Sequence, residues 1–199
     1  MNLKIWLCNL ALLSVLTLSA QSKMGNVTEI EIDGPVVVRL VSGAETGIEA
    51  LKQEDLVSWE VNGESLVIIA QYQKGRDAAE IEVTINDLQA LETTGAVILD
   101  GEGEFATRRM ELGISGQSIV NMDVDAEILI ARVKSQSILG LSGNADDFKL
   151  TVDMQSIVNA ESLNCAVIDV SANRQSVANI NTDGAKLTMK SSNQSLVVE

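Results

Sequence analysis

The sequence predicts an all-β protein folded as a parallel β-helix with coils of about 19 residues. Three observations predict this fold. A short phrase, Gln-Ser followed by an aliphatic residue, occurs five times; apolar and polar residues alternate on both sides of it; and the spacing leaves no room for a helix in each repeat. A solenoid is the fold in which such a repeat buries its apolar side only by stacking on its neighbours.

The repeated phrase fixes the length of each coil. Its glutamines are Gln117, Gln136, Gln155, Gln175 and Gln194, so the spacings are 19, 19, 20 and 19 residues. Residues seven, five and three positions before the glutamine are mostly apolar, and so are those three and five positions after it. A period of two is typical of a strand with one buried face, so we expect two strands in each coil. We therefore predict that residues 108–199 form the regular coils.

The N-terminal half predicts β-structure of a less regular kind. Strand-like runs occupy residues 27–32, 36–41, 56–61, 65–70 and 81–85. Asn62-Gly63 between two of these runs indicates a hairpin. A degenerate copy of the phrase places Ala96 in the glutamine slot, 21 residues before the first regular copy. Because a solenoid needs an atypical end to protect its open edge, we predict that residues 23–107 cap the coils within a single domain, 23–199.

The first 22 residues predict a cleavable secretory signal. Lys4 precedes an apolar run over residues 5–18, and small residues follow it. The run is interrupted by Asn9 and is shorter than the ~20 residues that a membrane-spanning helix needs. We expect cleavage between Ala20 and Lys23, no membrane span in the mature chain, and a secreted, periplasmic or envelope-exposed protein.

The amino-acid composition excludes some classes of function and disfavours some partners. The chain has no histidine, which excludes histidine-dependent triads and histidine zinc sites. Its net charge of −14 disfavours nucleic acid and anionic lipid as partners. Aromatic residues make up 3%, so we predict no cofactor. Cys165 is the one cysteine after the signal; it cannot form an internal disulfide and has no basic neighbours that would activate its thiolate.

Two acidic features leave alternatives open. Residues 100–104 and 144–147 concentrate the oxygen ligands that Ca²⁺ prefers, but neither segment matches a calcium-loop pattern, so solvated turns are favoured over a metal site. Paired carboxylates can also cleave glycosidic bonds, which keeps a polysaccharide-active enzyme as the alternative to a non-enzymatic protein. No convergent Asp or Glu pair can be placed from the sequence, so we predict no catalytic residues.

The order of these features resembles a known family. An apolar leader, the β-rich segment EIDGPVVVRLVSGAETGIEALKQEDLVSWEVNGESLVI and coils of the form L-x-L-x-[LIV]-S-G-x-S-x-[IV] are similar to the putative auto-transporter adhesin, head GIN domain family. The resemblance implies an envelope-exposed or secreted protein of a Gram-negative bacterium, a right-handed β-helix and an adhesive or structural role. It implies no catalytic residues. This chain differs from the family's usual pattern, which has Ser, Ala or Gly in the glutamine slot and Asp or Lys two positions later.

The repeated phrase also predicts a repetitive outward face. If the residues three and five positions after each glutamine point inward, the glutamine and the residues two and four positions after it point outward. Stacking would align these residues in columns and form a binding or assembly strip. The candidates are Gln117, Ile119, Gln136, Ile138, Gln155, Ile157, Gln175, Val177, Gln194 and Leu196.

Two interpretations of these residues stay open. In the structural one, stacked amides stabilise the coils, and the N-terminal half covers the aliphatic column or a bulge turns it inward. In the functional one, the column is exposed and binds another copy of the protein, or an envelope or glycan surface, because aliphatic side chains in water favour a cover. The solvent exposure of the aliphatic side chains discriminates between the two.

Overall fold

A computed structural model describes residues 24–192 and 194–198; the predicted secretory signal lies outside the described residues. The strands are β1 (Glu29–Asp33), β2 (Val36–Ser42), β3 (Gly47–Lys52), β4 (Val57–Asn62), β5 (Ser65–Ala70), β6 (Ala79–Ile85), β7 (Ala90–Thr94), β8 (Val97–Ile114), β9 (Ile119–Val133), β10 (Ile138–Val152), β11 (Ile157–Ala172), β12 (Val177–Ile180), β13 (Lys186–Ser191) and β14 (Leu196–Val198). Within these ranges the helical structure is a single 3-10 turn, Glu54–Leu56, and no helix could cross a membrane.

The strands form one sheet wound into a β-solenoid, which confirms the predicted fold class. Along the solenoid, hydrogen-bonded strands follow one another in the order β4, β5, β1, β7, β8, β9, β10, β11, β12, β14. Between β5 and β14 every neighbouring pair in this order is parallel. The coil of β1 and β2 therefore lies between the coil of β5 and β6 and the coil that starts with β7, so the first described strand lies inside the solenoid.

The N-terminal half supplies an atypical end, as predicted. β4 pairs with β5 and β3 pairs with β6, and both pairs are antiparallel, in contrast to the rest of the column. The predicted Asn62-Gly63 turn joins β4 to β5. An ion pair between Lys52 and Glu80 holds β3 against β6. Because these strands occupy the edge of the end coil, its backbone donors and acceptors are not left open to another chain.

The coils of β8, β9, β10 and β11 each contain one long strand instead of the two separate strands that we expected, whereas the next coil has two, β12 and β13. In β9, alternate residues are buried as far as Ala126, and burial resumes at Leu129. Between them, Glu127 and Ile128 both point away from the core, so the alternation slips by one residue. The strand bends at this slip while its parallel ladder with β10 continues on both sides of it. A coil therefore has one sharp corner, at the glutamine, and one gentle bend.

The core follows the predicted alternation. The residues that were expected to point inward are buried in all coils from Met110 to Ile180. The last coil differs, because no described strand lies beyond β13 and Met189 is 48% exposed there.

The corner has an unusual backbone. All five glutamines have a positive φ, between 62° and 73°. So does the described residue before each of the first four of them: Gly116, Ser135, Met154 and Arg174. A non-glycine residue in this left-handed region costs roughly 1–2 kcal/mol. Stacking supports the corners, because the N–H of Gln136 donates to the carbonyl of Met154 at 3.0 Å, and the corners of Gln117 and Gln155 repeat this bond.

A column of buried serines, which the sequence pattern did not predict, lies on the inner side of the corners. Ser118, Ser137, Ser156 and Ser176 directly follow the glutamines and are fully buried. The Ser118 hydroxyl donates to the carbonyl of Ser115 at 2.7 Å, across its own corner. The Ser118 N–H donates to the Ser137 hydroxyl of the next coil at 3.3 Å. Ser118 and Ser176 therefore each bond across their own corner, and the hydroxyls of Ser137 and Ser156 join neighbouring corners.

Bulges explain the two irregular spacings. Between Asp100 and Glu104, β8 contains two more residues than the facing part of β9, which matches the 21-residue interval after Ala96. Between Ala160 and Ser162, β11 contains one more residue than β10, which matches the interval of 20. Both bulges lie beyond the residues that align with the strip. The extra residues are therefore absorbed away from the corner, and the glutamines stay in register.

Close stacking of the corners makes a stability prediction. An added Cβ at Gly116 would lie 2.3 Å from the backbone nitrogen of Gly95, and Gly116 has a φ of 78°. Gly184 has a similar φ of 75° but nothing within 4 Å of an added Cβ. We expect Gly184→Ala to lower the free energy of unfolding by about 1 kcal/mol, from backbone strain alone. Gly116→Ala should cost at least about 2 kcal/mol more, because two coils must separate. Urea unfolding followed by circular dichroism measures both, and equal losses would contradict the stacked corner.

Candidate functional site

The five glutamines form one continuous column on the surface. Their side chains are exposed, and each Nε2 donates to the Oε1 of the next glutamine. The four distances are 3.3, 3.3, 3.2 and 3.3 Å along the series Gln117, Gln136, Gln155, Gln175 and Gln194. An amide ladder of this kind needs the same rotamer and the same corner in every coil.

An aliphatic column runs beside the glutamines and is open to solvent. Ile119 is 38% exposed, Ile157 is 37% exposed and Leu196 is 54% exposed. Ile138 and Val177 are half-buried. The described part of the N-terminal half, residues 24–107, does not cover this column, because it is stacked at the end of the solenoid, and no bulge among the described residues turns the column inward. The structural interpretation is therefore right about the amide ladder and wrong about the cover.

The aliphatic column is longer than the sequence predicted. Strand register aligns Ile98 with Ile119, and Val37 with Ile98. Ile98 is 44% exposed. Val37 is in turn aligned with Glu80 on β6. The aliphatic column therefore ends at Glu80, beside the cap. Ile98 stands two positions after Ala96, so the degenerate copy of the phrase could have identified it; Val37 carries no comparable signal.

A third column flanks the aliphatic one on the other side. It contains Asn121, Gly140, Asn159 and Asn179 in consecutive coils. Asn179 donates to the side-chain oxygen of Asn159 at 2.8 Å. A side chain at Gly140 would meet the side-chain oxygen of Asn121, because an added Cβ would lie 2.5 Å from it. We call the glutamine, aliphatic and asparagine columns together the strip.

The strip carries no charge from the coil of Gln117 to that of Gln194, although the chain has a net charge of −14. Charged pairs lie on the other faces or beside the cap. Arg109 bonds Glu111 at 2.6 Å on the opposite face. Arg39 bonds Glu102 at 2.6 Å near the capped end. The strip is therefore a flat and uncharged surface on an acidic protein.

The fold and the strip together define a class of protein, a β-solenoid that presents one repeated polar and aliphatic face. The chain belongs to the putative auto-transporter adhesin, head GIN domain family, whose sequence model matches residues 26–198. This match confirms the resemblance that the sequence showed.

Solved structures share this fold. A putative adhesin from Bacteroides fragilis matches with a TM-score of 0.73 at 14% identity, over 85% of this chain and 80% of that one. A putative adhesin from Parabacteroides merdae matches with a TM-score of 0.62 at 10% identity, over 88% and 92%. A putative lipid binding protein from Parabacteroides distasonis matches with a TM-score of 0.60 at 15% identity, over 79% of each chain. Such identities show the fold alone, and comparison with curated proteins gives no match.

The acidic segments differ from the sequence expectation. Residues 100–104 and 144–147 lie within the long strands β8 and β10, not in turns. Among the described residues, no three acidic or cysteine side chains come together as a metal site would need. A groove of about 720 Å³ on the face opposite the strip is lined by several carboxylates, including Glu92 and Glu111.

The carboxyl groups with perturbed pKa values all shift in the direction that favours the charged form. A hydrogen bond from Arg109 holds the pKa of Glu111 below its ordinary value. Arg39 does the same for Glu102, and Arg76 does so for Asp55. A general acid in glycoside cleavage needs the opposite shift, a raised pKa. These three carboxylates are therefore components of ion pairs, with pKa values unsuited to proton donation near neutral pH.

Cys165 is half-buried beside a second groove of about 660 Å³. Burial raises the pKa of its thiol to about 11. The thiol is therefore almost fully protonated at neutral pH, which agrees with the prediction that it is not an activated nucleophile.

The raised pKa makes Cys165 slow to react. In protein without the first 22 residues, Cys165 is the only thiol. At pH 8 we expect its reaction with Ellman's reagent to be at least ~10-fold slower than that of free cysteine, even though a more basic thiolate is the better nucleophile. The rate should keep rising as the pH approaches about 11. Unfolding in urea should restore the rate of free cysteine. A plateau near pH 8.5 in the folded protein would show that the thiol is not perturbed.

Proposed function

We propose that this protein is an exported, non-enzymatic adhesin that binds a partner surface through the strip. One observation carries the proposal: the aliphatic column is exposed in the folded chain, with Ile119 at 38% and Leu196 at 54%. A soluble protein rarely leaves a contiguous apolar column in water, and such patches mark interaction surfaces. Burying each of these side chains is worth on the order of 1–2 kcal/mol.

The repetition of the strip supports binding more than catalysis. A catalytic site needs a few different groups that converge on one point. The strip instead repeats a glutamine and an aliphatic side chain in five coils, with an asparagine beside them in three of these coils, at the ~4.8 Å spacing of a parallel ladder. Such a surface offers many equivalent contacts, and their effects combine when a partner engages several of them at once.

Family membership and the N-terminal leader support export and the absence of enzymatic activity. The family is described as an adhesin family, which fits an envelope-associated or secreted protein. The leader over residues 1–22 fits transport across the inner membrane. The alternative, a polysaccharide-active enzyme, needs a carboxyl group with a raised pKa, and the perturbed carboxyl groups described above shift the other way.

Charges placed in the strip test the binding function. We expect beads coated with Ile119→Lys, Ile157→Lys protein to retain at least ~10-fold fewer intact Gram-negative cells than wild-type beads, because lysines must be desolvated on contact. The control is Thr151→Lys, Thr188→Lys, which adds the same charge at exposed positions away from the strip. Circular dichroism verifies that both variants fold. Equal retention by both variants would remove the strip from the binding function.

Export is tested separately by cell fractionation. We expect the full chain in the periplasmic, envelope or culture-medium fraction, and a chain without residues 1–22 in the cytoplasmic fraction, because the apolar leader directs transport. Retention of the full chain in the cytoplasm would contradict export and would leave the binding test unaffected.

A further inference from the structure

We propose that the partner of the strip is a second copy of this chain, packed strip to strip about a two-fold axis. This inference rests on the proposed function, because it takes the strip as the binding face and names its occupant.

The distribution of charge makes the strip the most favourable face for contact with a second copy of the chain. Two chains of net charge −14 repel each other wherever their carboxylates meet. On the opposite face and along the gentle bend, every regular coil carries charged side chains, such as Glu111 and Asp125. The strip has none over five coils. It is therefore the surface on which two copies can approach without bringing like charges into contact.

The chemistry of the strip argues against two other occupants. Aromatic rings are the side chains on which sugars stack, and the strip contains no aromatic residue. Anionic membrane surfaces attract clusters of Lys and Arg, and the strip contains neither from the coil of Gln117 to that of Gln194. Its surface is instead complementary to itself, since aliphatic side chains lie between two columns of amides.

A two-fold axis aligns the strip with its own copy. In an isologous dimer the same patch meets itself, so the aliphatic column contacts the aliphatic column of the partner copy. The flanking columns then meet amide to amide, whether the two solenoids are parallel or antiparallel. Both columns have the same ~4.8 Å repeat, so their side chains can interdigitate along the whole contact.

The size of the strip predicts a weak dimer. Seven aliphatic rungs, from Val37 to Leu196, make the aliphatic column ~30 Å long, and the three columns are ~15 Å wide with their side chains. In the two rungs nearest the cap, Arg39 and Asp100 occupy the positions of the asparagine column. Each copy therefore offers ~450 Å², whereas a standard stable interface buries ~800 Å² on each partner. We expect reversible association with a dissociation constant of roughly 10 µM or weaker.

Sedimentation equilibrium of the purified protein, from about 5 µM to 1 mM, tests the inference. The wild-type chain and Thr151→Lys, Thr188→Lys should show a dimer fraction that rises with concentration. Ile119→Lys, Ile157→Lys should weaken the dissociation constant at least ~10-fold while keeping the wild-type circular dichroism spectrum. A wild-type protein that stays monomeric at 1 mM, or a strip variant that dimerises as well as wild type, would overturn the inference.

Cross-linking supplies a second measurement that does not depend on charge. Ile138 is the middle rung of the seven, so it lies near the axis in either orientation of the two copies. Packed sheets lie ~10 Å apart, which is too far for a disulfide but within reach of a short bismaleimide. In a background with Cys8 and Cys165 changed to Ser, Ile138→Cys should give covalent dimers, and Thr151→Cys should give at least ~10-fold fewer. Equal yields would overturn the strip-to-strip contact.

The two tests separate this inference from the proposed function. If the protein is monomeric but Ile119→Lys, Ile157→Lys still abolishes cell retention, the strip binds a different partner; the inference then fails and the proposed function stands. If the protein dimerises through the strip but does not retain cells, the inference stands and the adhesive function fails.

Discussion

Two consecutive left-handed residues at the corners of Gln117, Gln136, Gln155 and Gln175 are the constraint on which the rest of the structure depends. They turn the chain sharply once in each coil, and non-glycine residues such as Met154 and Gln155 adopt them at a cost of roughly 1–2 kcal/mol each. Stacking offsets this cost, because the corners of Gln117 and Gln136 each bond the next corner through the backbone and through a buried serine. A corner that stood alone would have no such support.

The corner also explains why a repetitive face survives unequal coil lengths. The insertions in β8 and β11 lie beyond the residues that align with the strip, so the glutamines remain within 3.2–3.3 Å hydrogen bonds of one another. The aliphatic side chains two positions after the glutamines are therefore aligned with one another in the same way. A single backbone geometry therefore produces both the amide ladder and the column of exposed side chains beside it.

The strip differs from the rest of the surface in its charge. The acidic side chains keep most of the surface repulsive towards copies of the chain, nucleic acid and anionic lipid. The strip lacks charge from the coil of Gln117 to that of Gln194. Its aliphatic column ends at Glu80, which pairs with Lys52 where the cap covers the coil of β5 and β6. One end of the solenoid is thus closed by antiparallel strands, and the strip lies along the side.

The sequence by itself determined the coil repeat, the inward residues, and the alignment of the five glutamines, because period-two burial and a constant interval leave one way to stack the copies. Tertiary structure decided what periodicity does not encode. Whether Ile119 or Leu196 is covered depends on where the N-terminal half lies, and only the long-range pairing of β5 with β1 places that half at the end of the column. The inclusion of Val37 and the buried role of Ser137 likewise depend on contacts between coils, which the local sequence around each residue does not specify.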